Sequence, residues 1–326
     1  MKKVRVLGVG STVPNRVLTN FDLEKMVDTT DEWITQRTGI RERRIADDGI
    51  ATSDLATEAG RKALADAGVS PKELDLIVVA TFTPDEPLPA CACHVQNRLG
   101  AKKAGAYDLS AACAGFVYAF STATDFVRVR EDAKVLVIGA ECLSKLTDFT
   151  DRTSCIIFGD AAGAVVLGES GDSSDVLYCS MGCKGDEADM MMIPAGGTRL
   201  PASHKTVDDR MHFMKIRGRE VFKFAVRKMS DLLIEGMEQC GLAAEDVALV
   251  VPHQVNQRVI EPATERARIP IEKVFMNIEK YGNTSGASVP LALDEAVKAG
   301  RIKRGDHVIL VGFGGGLVWG VAVIRW

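Results

Sequence analysis

Cys113 stands in the run Asp108-Leu109-Ser110-Ala111-Ala112-Cys113-Ala114-Gly115-Phe116, whose pattern predicts a strand giving way through small residues to a helix. A thiol attacks as its thiolate, and helix N-termini favour negative charge because unpaired N–H groups and the helix dipole converge there. A cysteine so placed should ionise more readily and sit beside donors for an oxyanion, so nucleophilic attack is the chemistry it would do. The alternative is a small buried hydrophobe, the usual fate of a free cysteine. His253, in Val251-Pro252-His253-Gln254-Val255-Asn256-Gln257, ends a β-branched run, where an imidazole either serves a reaction or satisfies the core. Asn283 lies in Gly282-Asn283-Thr284-Ser285-Gly286-Ala287-Ser288, a second small-residue run that opens a helix.

The elements that must position these residues occur twice. Residues 68–79 match residues 241–252 in pattern, an offset of 173 (241 − 68), and Val135–Gly139 falls on Val308–Gly312 at the same offset. Both short runs read as buried strands. Helices are predicted over 53–67 and 230–240, with Leu55 and Ala59, or Leu233 and Met237, at helical spacing and Gly68 and Gly241 as C-caps. Alternating helices and apolar strands define an α/β chain of two similar halves, residues 1–172 and 173–326. At this offset Cys113 falls on Gly286, and His253 on Ala80 at the end of the strand from Leu76. Two helix N-termini are therefore expected to face each other across a crevice at equivalent strand ends, where ligands bind in such folds.

Composition narrows the class. The 326 residues, 46% hydrophobic, suffice for one large two-part unit. Without a long apolar run or a signal-peptide pattern after Met1-Lys2-Lys3, the expected location is the cytoplasm, with no membrane association. Eight cysteines scattered through apolar segments predict reduced thiols rather than a disulfide framework. A net charge of −4 argues against nucleic acid as a partner, so any acidic partner must meet a local basic patch. Lys215, Arg219, Lys223 and Arg227, at i+4 steps, predict such a stripe on one helical face opposite Val221, Phe222, Val226 and Met229. A stripe of this kind is also the ordinary wet side of a helix. Cys91-Ala92-Cys93-His94, with Cys179 and Cys183, lacks zinc-ribbon spacing, and no metal is expected. The Gly312–Gly316 segment lacks the Gly-Lys-Ser/Thr ending of a phosphate loop and reads as a turn between two strands.

Taken in order, Thr38-Gly39-Ile40-Arg41-Glu42-Arg43, Ala111–Phe116, Phe158–Ala164, Pro252-His253-Gln254, Gly282–Ser285 and Gly312–Gly316 span essentially the whole chain. By these motifs the sequence resembles the thiolase superfamily, and within it the β-ketoacyl-acyl-carrier-protein synthase III family of initiating condensing enzymes. The resemblance implies a thiolase-like fold, two duplicated α/β halves forming a layered αβαβα core. It implies a catalytic triad of Cys113, His253 and Asn283, with an oxyanion hole from the backbone N–H groups of Cys113 and Gly315. It also places Trp33 and Arg152 about the adenine of CoA, Arg37 near its phosphates and Asn256 near the pantetheine. Lys223 and Arg258 would dock acyl-carrier protein. Leu88 replaces a phenylalanine that even-chain members give to the partner subunit's acyl pocket, which implies a homodimer and leaves acetyl-CoA as the first expectation for the starter. No cofactor is implied, because the CoA thioester is a substrate. The reaction implied is decarboxylating condensation of a starter acyl-CoA with malonyl-acyl-carrier protein through acyl-Cys113, beginning fatty-acid synthesis. The alternative is a thiolase-fold acyltransferase of secondary metabolism that moves its acyl group without decarboxylation.

Overall fold

The computed structural model describes residues 2–326, apart from the side chain of Arg219. Strands β1 (Val4–Thr12), β2 (Leu76–Ala80), β3 (Gly105–Leu109), β4 (Val135–Glu141) and β5 (Ala161–Glu169) form one sheet in the order β1-β5-β4-β2-β3. Strands β6 (Asp175–Cys183), β7 (Val247–Pro252), β8 (His307–Gly314) and β9 (Val318–Arg325) form a second, ordered β7-β8-β9-β6. The duplication is visible in the pairing. β2 runs parallel to β4 with Ile77 opposite Leu136, and β7 runs parallel to β8 with Val250 opposite Ile309. The place of β3 is taken in the second sheet by a single bridge from Val250 to Val274.

Among the described residues, the seven helices of eight residues or more complete the frame: α1 (Asp31–Thr38), α2 (Thr52–Ala67), α3 (Cys91–Leu99), α4 (Gly115–Arg128), α5 (Gly218–Cys240), α6 (Gln257–Arg266) and α7 (Ser288–Lys298). The period of two in each strand decides where they pack. Val78 and Val137 face inward with Leu249 and Leu310, and between them lie Phe116 and Phe120 of α4 and Val289 and Leu293 of α7. Ile77, Val79 and Leu136 face the other way, onto Ala59 and Ala63 of α2 and Val95 of α3. Val250, Ile309 and Val323 likewise meet Met229 and Leu233 of α5 and Val259 of α6. The result is five layers, helix, sheet, helix, sheet, helix. Each large side chain buried in these seams stabilises the fold by about 1.5–3 kcal/mol.

Both expected C-caps are present: Gly68 and Gly241 close α2 and α5 in the left-handed region, at φ 64° and 65°. The halves meet closely because Gly139 of β4 has no side chain. A Cβ there would lie 2.2 Å from the carbonyl oxygen of Gly286. No helix among the described residues is long and apolar enough to cross a membrane.

The basic stripe needs correction. Lys215 is not helical but pairs with Met192 in a short two-stranded ribbon, and the helix starts only at Gly218. Its Lys215–Arg227 spacing therefore cannot form one face. The Arg219 side chain lies outside the described residues. Met229, expected on the covered face, is buried there with Ala225, Leu232 and Leu233, but Phe222, expected beside it, lies off that face and is 39% exposed.

Candidate active site

β3 ends at Leu109, and a 3-10 turn over Ala112–Ala114 carries Cys113 to the start of α4. Ala112 takes a left-handed φ of 44° to make this turn. Gly314 of β8 backs onto the cysteine: a Cβ at Gly314 would stand 2.7 Å from the Cys113 nitrogen, so only glycine permits this approach. From the other half, the hydroxyl of Ser285 donates to Cys113 Sγ at 3.3 Å. The same residue's backbone N–H donates to Asn283 Oδ1 at 2.8 Å. That bond fixes which end of the Asn283 amide accepts, and leaves its NH2 as the donor. Asn283 itself is buried and held by backbone bonds to Ile157 and Gly159.

Sequence suggested an easily ionised thiol, and here the structure differs. Burial pushes the Cys113 thiol up to about 12, the charge of Glu141 adding to that effect and the Ser285 hydroxyl opposing it. Desolvation outweighs the helix dipole, so ionising this thiol would take a base.

His253 follows β7 directly, its N–H bonded to the Val311 carbonyl at 2.7 Å and its ring edge-on to Phe313 at 5.8 Å. It is 1% exposed, and among the described residues neither ring nitrogen has a hydrogen-bond partner. A core histidine of the ordinary kind would be satisfied. Burial alone drives its pKa down to about 3, so the ring is neutral at working pH and presents one N–H and one lone pair. Phe313 packs on His253, its neighbour Gly314 backs onto Cys113, and Ser285 joins Cys113 to Asn283. The three residues named from sequence thus meet through β8 and the Ser285 turn.

Beside them Phe82, Ala112, Met191, Ile193, Met214 and Gly315 line an apolar cavity of about 220 Å³. Sequence reading missed this lining, although the run Met190-Met191-Met192 was an available signal, since flexible thioethers suit adaptable pockets. Gly315 opens on this cavity and lies against Met191, while Gly314 makes the contact with Cys113. Leu88 does not line the cavity from within its own chain, being 86% exposed on the loop before α3.

The residues expected to hold CoA are neighbours. The guanidinium groups of Arg37 and Arg152 stand 4.9 Å and 5.3 Å from the Trp33 ring. Arg152 also donates to the Asp28 carbonyl at 2.9 Å. Asn256 does something sequence did not assign: its Oδ1 caps α6 by accepting from the Arg258 N–H, and its amide donates to the Arg37 carbonyl at 3.0 Å. Arg258 is exposed in the first turn of α6, at this cap, and Lys223 and Arg227 line a separate groove on α5, where Lys228 lies 3.9 Å from the Trp319 ring. Cys91 and Cys93 share no environment, one buried and one exposed, and His94 pairs with Glu86 at 2.6 Å.

A five-layered duplicated fold with a thiol at a helix N-terminus, a neutral imidazole and a primary amide at its centre defines a thiolase-like condensing acyltransferase. Family models described as 3-oxoacyl-[acyl-carrier-protein] synthase III match residues 107–185 and, for its C-terminal part, residues 237–326. The chain belongs to the β-ketoacyl-acyl-carrier-protein synthase III family. It is 52% identical to the synthase III of Caldanaerobacter subterraneus over 98% of this chain and 97% of that one. The synthase III of Roseiflexus castenholzii is 48% identical over 98% and 97%. Among solved structures, the Aquifex aeolicus synthase III superposes with a TM-score of 0.92 at 47% identity, covering 99% of this chain and all of the other. The priming β-ketosynthase of the R1128 polyketide pathway also reaches 0.92, at 37% identity over 99% and 96%.

Proposed function

We propose that the chain joins a starter acyl-CoA to malonyl-acyl-carrier protein, releasing carbon dioxide and CoA and leaving a β-ketoacyl-carrier protein. Cys113 takes the acyl group as a thioester and CoA departs. Malonyl-carrier protein then loses carbon dioxide, and the enolate oxygen that forms is met by the N–H of His253 and the NH2 of Asn283. The enolate attacks the acyl carbon, and the oxyanion that results faces the backbone N–H of Cys113 and that of Gly315. One well-aimed donor of this kind is worth about 3 kcal/mol.

The observation that supports this reading best is His253, buried yet with both ring nitrogens unpartnered. A buried polar group without a partner costs about 1–3 kcal/mol, a cost offset where a reacting ligand supplies the partner. Decarboxylation needs a neutral donor there. An acyltransferase acting on amines or alcohols needs a base for its acceptor instead, and a ring held near pKa 3 is a poor one.

Trp33, Arg37 and Arg152 receive the CoA nucleotide, Lys223 and Arg258 the acidic carrier protein, and the methionine-lined cavity a short acyl chain. The protein works in the cytoplasm as a homodimer, with Leu88 covered by the second subunit, and uses no cofactor or metal. Starter choice is tested by offering a panel of straight and branched acyl-CoAs and reading the mass of the loaded protein. Acetyl is expected to load fastest, and faster loading of a branched starter would overturn that assignment.

A further inference from the structure

Glu141 ends β4 fully buried, behind the reactive cysteine rather than at the surface. One carboxylate oxygen, Oε2, accepts from the hydroxyls of Thr81 and Thr83, at 3.1 Å and 2.7 Å, and from the N–H of Phe82 at 3.3 Å. The other, Oε1, has no partner among the described residues. It faces the Ser285 turn: a Cβ at Gly286 would lie 3.4 Å from Oε1, and the Ser285 hydroxyl is near enough to favour the ionised carboxylate. That hydroxyl is the one that touches Cys113 Sγ. The thiols of Cys113 and Cys142 lie close enough to Glu141 for its charge to disfavour their ionisation.

We propose that Glu141, acting through Ser285, takes the Cys113 proton during acyl loading and keeps it until the thiol is regenerated. This rests on the acyl-Cys113 chemistry proposed above. As the S–C bond forms, the Ser285 hydroxyl swings from Sγ, where it donates at rest, toward the unpartnered Oε1; the S–H proton then passes to Ser285 Oγ while the Ser285 proton passes to Oε1 of Glu141. CoA leaves as a thiolate and takes its proton from water. Glu141 stays protonated while Cys113 carries the acyl group. When the enolate adds and the C–S bond breaks, the proton returns along the same path to the departing sulfur. One proton is taken from solvent per cycle, as the overall reaction requires. Desolvation raises the Glu141 carboxyl to about 7, the range in which a general base is most effective near neutral pH.

The test measures Cys113 alkylation by iodoacetamide, which needs no acyl-CoA, alongside single-turnover acyl loading, both read by intact mass across about pH 6 to 8.5. The native protein should react faster as pH rises through about 7 and then level off. Glu141→Gln should be slower by about tenfold or more in both assays and lose the inflection, with Glu141→Asp restoring part of the rate and the inflection. Ser285→Ala should slow both reactions in the same way, and it carries the test if Glu141→Gln does not fold. Identical alkylation rates and pH profiles in native and folded variant proteins overturn the relay. Native protein that alkylates with this profile yet loads no acyl group overturns the acyl-Cys113 reading and leaves the relay standing.

Discussion

Ala112 and Ser285 share a left-handed backbone, φ 44° and 48°, at positions made equivalent by the 173-residue offset of the two halves (285 − 112). Each residue precedes the start of a helix that lies between the sheets, and each turn delivers a functional group to the same point: Cys113 from one half, the Ser285 hydroxyl from the other. Left-handed non-glycine residues cost of order 1–3 kcal/mol, and they persist where the surroundings over-determine them. The duplicated scaffold has kept the turn and diverged in the side chain it presents.

The contact between halves is strictest at Gly139. Gly139→Ala would place a methyl 2.2 Å from the Gly286 carbonyl and should lower stability by about 3 kcal/mol, read as an earlier denaturant midpoint. An unchanged midpoint would mean that the seam can open without cost.

His253 should stay neutral well below its ordinary range. Its folded pKa is depressed from 6.5 to about 3, so its contribution to stability is present above about 6.5 and is lost as pH falls toward 3. Nitrogen NMR of the labelled ring should show a neutral imidazole at pH 5, and a protonated ring at that pH would contradict the donor role.

Asn283→Asp exchanges a donor for an acceptor at the enolate. Carbon dioxide release from malonyl-carrier protein should fall by about 10²–10³, while acyl loading onto Cys113 changes little. Equal losses in both half-reactions would assign Asn283 to the fold instead.

Reversing charge at Lys223 and Arg258 together should raise KM for malonyl-carrier protein several-fold, an effect that shrinks at high salt, and leave acyl-CoA loading intact. Trp33→Ala should do the converse, raising KM for acyl-CoA alone, because two guanidinium groups stand over its ring, at 4.9 Å and 5.3 Å. Loss of both specificities in either variant would dissolve the separation of the two sites.

What sequence revealed, and what it hid, divides by range. The strands from Leu76 and Val135 were legible because parallel strands covered on both faces are written as unbroken apolar runs, and Gly68 and Gly241 because a left-handed cap calls for glycine. Cys113, His253 and Asn283 were legible through local motifs and the repeat. Glu141 was not: a glutamate at a strand end reads as solvated, and it is enclosed by residues distant in sequence, Thr81, Phe82 and Thr83 on one side and the Ser285 turn of the other half on the other. Lys215 looked helical at i+4 spacing, but its pairing with Met192 depends on a segment over twenty residues away. The cavity's methionines are placed by the same ribbon, which no local pattern announces.

The central claim is that Cys113 stores the starter and malonate-derived carbon discharges it. Intact-protein mass spectrometry after acyl-CoA, and again after malonyl-carrier protein, tests it most directly. One acyl group, mapped to Cys113, should appear and then be lost as β-ketoacyl-carrier protein and carbon dioxide form. A Cys113→Ala protein that makes the same product at the native rate, or an acyl group that malonyl-carrier protein never removes, would contradict it.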